Sequence, residues 1–109
     1  MTVRTCRLAV GYTSPVATDT LLYTCPAGKT AVIKDVLMSG SGIAATRGLV
    51  QVRSGSDRAH IIDQPVGAQE AAHLGCWVVL EPGDTIYAYS TAQPVRVWVS
   101  GAELAGVAP

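Results

Sequence analysis

The chain has 109 residues, enough for one domain with one real core but hardly for two, and its eight basic and eight acidic residues cancel and are scattered singly. No field is available to draw in a polyanion, which argues against nucleic-acid binding through a basic patch. The hydrophobic share is 49%, much of it Ala and Val with no Phe, and eleven Gly and six Pro punctuate it, which favours thin β layers with frequent turns over large helices. No apolar run approaches a membrane span and Met1 to Arg7 lack a signal-peptide core, so no membrane partner is expected and synthesis in a cytoplasm is.

In chain order, Val3 to Val10 reads as a strand with Cys6, Leu8 and Val10 on one side and Thr5 and Arg7 on the other. Gly11 to Thr18 reads as a loop, with Ser14-Pro15 as a turn signal, and Asp19 to Cys25 as a second strand ended by Pro26-Ala27-Gly28. Lys29 to Ser39 is the longest strand candidate. Its alternation sets Ala31, Ile33, Asp35 and Leu37 against Val32, Lys34, Val36 and Met38, so both faces are expected to be partly covered. Gly40-Ser41-Gly42 breaks it. Arg47 to Ser54, Gly55-Ser56-Asp57 and Arg58 to Ile62 form an expected β-hairpin. Asp63 to Gly75 holds the helix formers Ala68 to Leu74, and a two-turn helix and an extended connection fit it equally well.

Residues 77 to 100 then read as a three-strand meander: Trp77 to Leu80, the turn Glu81-Pro82-Gly83-Asp84, Thr85 to Ser90, a polar break, and Pro94 to Ser100. Pro82 presets φ for the first central turn position, and Gly83 tolerates the positive φ that the second position of a type II turn needs. Gly101 to Pro109 is a small-residue tail, expected to be peripheral or to touch a neighbour. The expected architecture is all-β: one antiparallel β-sandwich or jelly-roll domain over 1–109, with about seven or eight strands, at most one short helix, and 100–109 as the tail. Pro26-Ala27-Gly28-Lys29-Thr30 echoes Glu81-Pro82-Gly83-Asp84-Thr85, and two turns obeying the same chemistry explain this better than a duplication.

The chemical motifs fall short of sites. Gly28-Lys29-Thr30 resembles the end of a phosphate loop, but Tyr23 stands where another Gly is required and a strand follows. Gly40-Ser41-Gly42-Ile43-Ala44-Ala45 lacks the long helix of a dinucleotide fold. His73 and Cys76 have a usable zinc spacing, with His60 as a third donor, but no second pair exists. Cys76 abuts Trp77-Val78-Val79, an apolar setting that blunts a thiol nucleophile. Glu81 and Asp84 are explained by the turn. Cys6, Cys25 and Cys76 lie in apolar, strand-like stretches and read as small buried hydrophobes kept reduced. The expectation is a protein that is not an enzyme and carries no cofactor or metal.

Function is expected on the meander's outer face. With Val95, Val97 and Val99 inward, Arg96, Trp98 and Ser100 face outward, and Tyr87 and Tyr89 share a face opposite Ile86 and Ala88. Trp beside Arg is a composition typical of protein–protein hot spots, so Trp98, Arg96, Tyr87 and Tyr89 form the candidate interface.

Three stretches in order carry a resemblance: Leu22-Tyr23-Thr24-Cys25-Pro26-Ala27-Gly28-Lys29-Thr30-Ala31-Val32-Ile33-Lys34-Asp35-Val36, then Leu80-Glu81-Pro82-Gly83-Asp84-Thr85-Ile86, then Val97-Trp98-Val99-Ser100-Gly101-Ala102-Glu103-Leu104. Over roughly its last four-fifths the chain resembles small virion proteins of tailed bacteriophages, departing at Cys25, where an aliphatic residue such as Val is commoner. The resemblance implies a β-sandwich or jelly-roll module that self-associates and docks on the major capsid protein or on tail proteins, with its place in the virion. Head decoration is the first choice and a tail or baseplate accessory the second. A carbohydrate-binding module, stacking sugars on Trp98, Tyr87 and Tyr89, is the reading from another class.

Overall fold

The computed structural model describes residues 4–13, 16–40 and 44–105, with side chains from Arg7 onward. Its strands are β1 (Arg4–Tyr12), β2 (Thr20–Thr24), β3 (Lys29–Gly40), β4 (Thr46–Ser54), β5 (Asp57–Val66), β6 (Ala71–Leu80), β7 (Thr85–Ser90) and β8 (Val95–Ala105). They lie in two four-stranded sheets, β1-β8-β3-β6 and β2-β7-β4-β5, with every ladder antiparallel. Ser14-Pro15 and Ser41-Gly42, assigned above to a turn and a break, lie outside the described residues.

The strand order has a simple origin. Each strand pairs with its mirror in sequence, β1 with β8, β2 with β7, β3 with β6 and β4 with β5, so the chain forms a folded-back ribbon whose tip is the Gly55-Ser56 hairpin. Rolling the ribbon brings β3 against β8 and β4 against β7. The result is an eight-stranded jelly roll, the second of the two expected architectures.

That topology overturns the meander. β6, β7 and β8 follow one another in sequence, but β7 belongs to the opposite sheet from its two neighbours. The polar break at 91–94 is a crossover between sheets. It is held by the Thr91 N–H on the Arg47 carbonyl at 3.1 Å and by the Ala92 and Gln93 N–H groups on Thr46 Oγ1, each at 3.0 Å. Nearby, the buried Thr13 accepts from the Val95 N–H at 2.8 Å, and its hydroxyl lies 2.6 Å from that of Ser90.

Bulges shift the expected faces. β3 slips register between Ile33 and Asp35, so the inward set changes from Ala31 and Ile33 to Val36 and Met38. The apolar residues on both faces of this stretch are therefore largely one inward face interrupted at Lys34. In β1 the slip falls between Arg7 and Ala9: Ala9 turns inward, and Val10, expected beside Leu8, turns out to solvent. β1 also runs on to Tyr12, two residues into the expected loop.

Of the two readings of 63–75 the extended one holds, and the reading of the tail changes. Ala71 to Leu74 are extended in β6, because Ala72, Leu74, Cys76, Val78 and Leu80 continue one period-2 apolar face and tertiary burial outweighs helix propensity over so short a stretch. No helix occurs among the described residues. The expected tail is strand as far as Ala105: Gly101 and Ala102 are buried, Tyr23 donates its hydroxyl to Glu103, and Lys29 Nζ lies 3.7 Å from the same carboxylate.

The two echoing turns sit side by side. Gly28 and Gly83 both have positive φ, 75° and 90°, and each turn closes, Lys29 N–H to Pro26 O at 3.2 Å and Asp84 N–H to Glu81 O at 3.0 Å. They bond to each other through Cys25 N–H to Asp84 O at 2.8 Å and Gly83 N–H to Cys25 O at 2.9 Å. A Cβ at Gly83 would touch nothing, so Gly83→Val costs backbone strain alone, about 1–2 kcal/mol, read as a lower thermal midpoint. The core between the sheets is Ile33, Val36, Met38, Val50, Leu80, Ile86, Val95, Val97 and Val99, all fully buried, each contributing about 1.5–3 kcal/mol of transfer free energy.

Candidate functional site

Alternation along β7 and β8 orients all four candidate side chains outward, as expected, but onto opposite surfaces of the sandwich. Val95, Val97 and Val99 are buried while Arg96 and Trp98 face out from the first sheet; Ile86 and Ala88 are buried while Tyr87 and Tyr89 face out from the second. The structure therefore brings Trp98 and Arg96 together, and Tyr87 and Tyr89 together, but not the two pairs.

On the first sheet, register places Val10, Trp98, Leu37 and His73 in one row across β1, β8, β3 and β6. A second row holds Ala102, Val32 and Val79, of which only Val79 is exposed, with Trp77 two residues from it on the same side. Between the rows lie Arg7, Ser100, Lys34 and Asp35. Cations flank the rings: the Arg7 guanidinium is 5.1 Å from the Trp98 ring centre, Lys34 Nζ 5.7 Å from Trp77, and Arg96 5.9 Å from Tyr12. Such pairs are worth about 0.5–1 kcal/mol at exposed sites, and they hold the rings in place at the surface. Of the six large apolar side chains exposed among the described residues, Val10, Tyr12, Trp77, Val79 and Trp98 lie on this face. Trp77 is the barest, at 70% against 39% for Trp98. Sequence reasoning left Trp77 without a face, although the alternation from Ala72 to Leu80 already points it outward.

On the second sheet, Tyr87 and Tyr89 join Asp19, Leu49, Gln51 and His60 around a hollow of about 200 Å³. The Arg53 guanidinium covers one face of Tyr87 at 3.8 Å, donating to Asp19 and to Gln51, each at 2.6 Å. No cation covers Tyr89 in the same way among the described residues.

The zinc constellation does not assemble. His73 faces outward and bonds Asp35 at 2.9 Å, Cys76 faces inward from the same strand, and His60 lies on the other sheet, 3.8 Å from Asp63. Cys25 is buried with its thiol 3.4 Å from the Lys29 carbonyl, and Cys76 is half-buried; both thiols are free, and burial pushes both above the ordinary thiol pKa. Cys6 has no described side chain.

No protein-family model matches the chain, and no curated protein matches it in sequence. Solved structures do share its fold. One is a protein of Bacillus endospore appendages, described as a family of disulfide-linked pili, at 14% identity and TM-score 0.56, with 97% of this chain and 90% of that one covered. Another comes from infectious bursal disease virus, Gt strain, at 7% identity and TM-score 0.52, covering 94% of this chain. This chain spans only 32% of that viral protein. At these identities the likeness is one of β-sandwich fold.

Proposed function

We propose that this chain is a structural protein of a tailed-bacteriophage virion, a decoration protein that docks on the head lattice through the outer face of its first sheet and turns over no substrate. The observation that carries the reading is the set of exposed apolar side chains Val10, Tyr12, Trp77, Val79 and Trp98, in a face where Arg7, Lys34 and Arg96 outnumber Asp35. Such a face suits a lattice surface that offers apolar pockets rimmed by carboxylates. The motifs that resemble those of small phage virion proteins support the phage reading, and the fold likeness to a viral protein and to a pilus protein accords with assembly. Repetition on a symmetric lattice adds avidity to modest single contacts. A position on the tail or baseplate would use the same surface, and immunogold labelling of purified particles separates the two.

Trp98→Ala is expected to leave the protein folded and to weaken its association with particles by about 2 kcal/mol or more, roughly 30-fold in affinity. Co-sedimentation with particles stripped of the protein measures this, and undiminished binding would contradict the assigned face.

The hollow on the second sheet favours a second reading, carbohydrate recognition, since Tyr89 beside Asp19, Gln51 and His60 combines a ring with groups that bond hydroxyls. Trp98, on the far sheet, has no part in such a site. A glycan array probed with the whole protein discriminates: a specific signal favours the sugar site, and a silent array with intact particle binding favours docking.

A further inference from the structure

Each sheet ends in two edge strands, β1 and β6 in one, β2 and β5 in the other. An unpaired edge is a template for another strand, and proteins blunt it with charge, proline, shortness or bulges. All four edges here carry a register shift, so bulging does not separate them. Charge, proline and length do. β1 carries Arg4 and Arg7, β2 has 5 residues, and β5 holds Asp57, Arg58, Asp63 and Pro65. β6 runs for 10 residues, Ala71 to Leu80, without a Lys, Arg, Asp, Glu or Pro.

The packing beside β6 is also incomplete. Its inward residues Leu74, Cys76 and Val78 touch the core yet remain half-exposed, as does Ile61 on β5, the edge of the facing sheet. On its outer side, Trp77 and Val79 are the large apolar side chains of the strand that stand exposed. Among the described residues, β6 makes its backbone ladder with β3 alone.

We infer that β6 is a pairing edge through which two copies of this chain associate, antiparallel, joining their first sheets into one continuous sheet. An uncharged strand pairs with itself without opposing like charges, and it offers no charge by which to select a different partner. Symmetric pairing centred on Cys76 aligns Ala72 to Leu80 with the same stretch reversed. Trp77 of each copy then lies across from Gly75 of the other, where the only atom near an added Cβ is Asp35 Oδ1 at 3.7 Å, so the indole has room to cover a strand glycine. Leu74 falls opposite Val78, and the half-exposed seam is covered from both sides. The flanking Glu81 falls opposite Ala71 and Glu70 opposite Pro82, so the carboxylates do not meet. Trp77 and Val79 also lie on the proposed docking face, but self-association is measured without particles, so dimerisation and particle docking fail distinguishably.

Sedimentation velocity over a concentration series, with amide hydrogen exchange read at both ends of it, tests the pairing in the whole protein. The expected result is a monomer–dimer equilibrium in which β6 amides exchange on the order of ten times more slowly in the dimer than in the monomer. Trp77→Lys and Val79→Lys, at exposed positions where folding is retained and checked by circular dichroism, are each expected to leave only monomer. A wild-type protein that stays monomeric throughout, a dimer whose β6 amides exchange as in the monomer, or a dimer that survives both lysine variants would each overturn the inference.

Discussion

Gly101→Ala is expected to be severely destabilising. Gly101 lies at the centre of the first sheet, opposite Ile33, at the step where β3 slips register against β8. A Cβ built there would stand 1.8 Å from the Val32 carbonyl oxygen, 2.9 Å from its carbonyl carbon and 3.2 Å from the Ile33 Cα. All three are backbone atoms, so no rotamer change relieves the clash. Relief requires β3 and β8 to separate, which breaks a ladder that runs from Lys29 to Gly40. The expected cost is about 4 kcal/mol or more, at the far end of what single substitutions do. Against a total stability of about 5–15 kcal/mol for a domain, that is a large share, read as a steep fall in the thermal midpoint. Gly75→Ala is the matched control, because its Cβ would meet only Asp35 Oδ1 at 3.7 Å, and its melt should stay close to wild type. A Gly101→Ala protein with an unchanged thermal midpoint would show that the strands can spread at little cost.

This glycine also shows where sequence reasoning stopped. Gly101 begins a run of small residues that reads as a tail, because a residue without a side chain leaves no mark in an apolar pattern even when two backbones need its absence. Strand positions were readable where side-chain chemistry enforces them: the Val95, Val97 and Val99 face, the Ile86 and Ala88 face, and the Pro82-Gly83 turn with Gly83 at φ +90°. Bulges were not readable, since an extra residue such as Lys34 is ordinary in type and shows only as a loss of phase. Pairing was also invisible. Turns of similar chemistry join strands within a sheet and between sheets, so the break at 91–94 looked like a hairpin although it crosses the core. That single difference divided the four expected interface residues between two surfaces. Trp77 was missed for the opposite reason: the alternation that exposes it was legible, but the helix formers upstream competed with it.

The slip at Lys34 has a consequence in the core, and Met38→Ala is expected to expose it with a loss of about 3–4 kcal/mol. If β3 alternated without interruption, Leu37 would share the inward face of Ile33, and Met38 would lie on the other. The register shift reverses this, and Met38 is fully buried while Leu37 stands in the outer row with Trp98. Met38 reaches across the sandwich to Gly48 on β4, where an added Cβ would come within 2.8 Å of its sulfur and 3.2 Å of its methyl group. The thioether thus fills space that the opposite strand leaves empty. Truncation to Ala opens a void with a glycine on its far side, which has no side chain to relax into it. The cost should therefore sit in the middle or upper part of the 2–5 kcal/mol range for such deletions, and the midpoint should fall by roughly 15 °C. Leu37→Ala, one residue earlier on the outer face, should cost well under half as much. Equal losses for the two variants, measured by denaturant titration with matched m-values, would mean that β3 does not slip at Lys34, and the division of this strand into inner and outer faces would have to be redrawn.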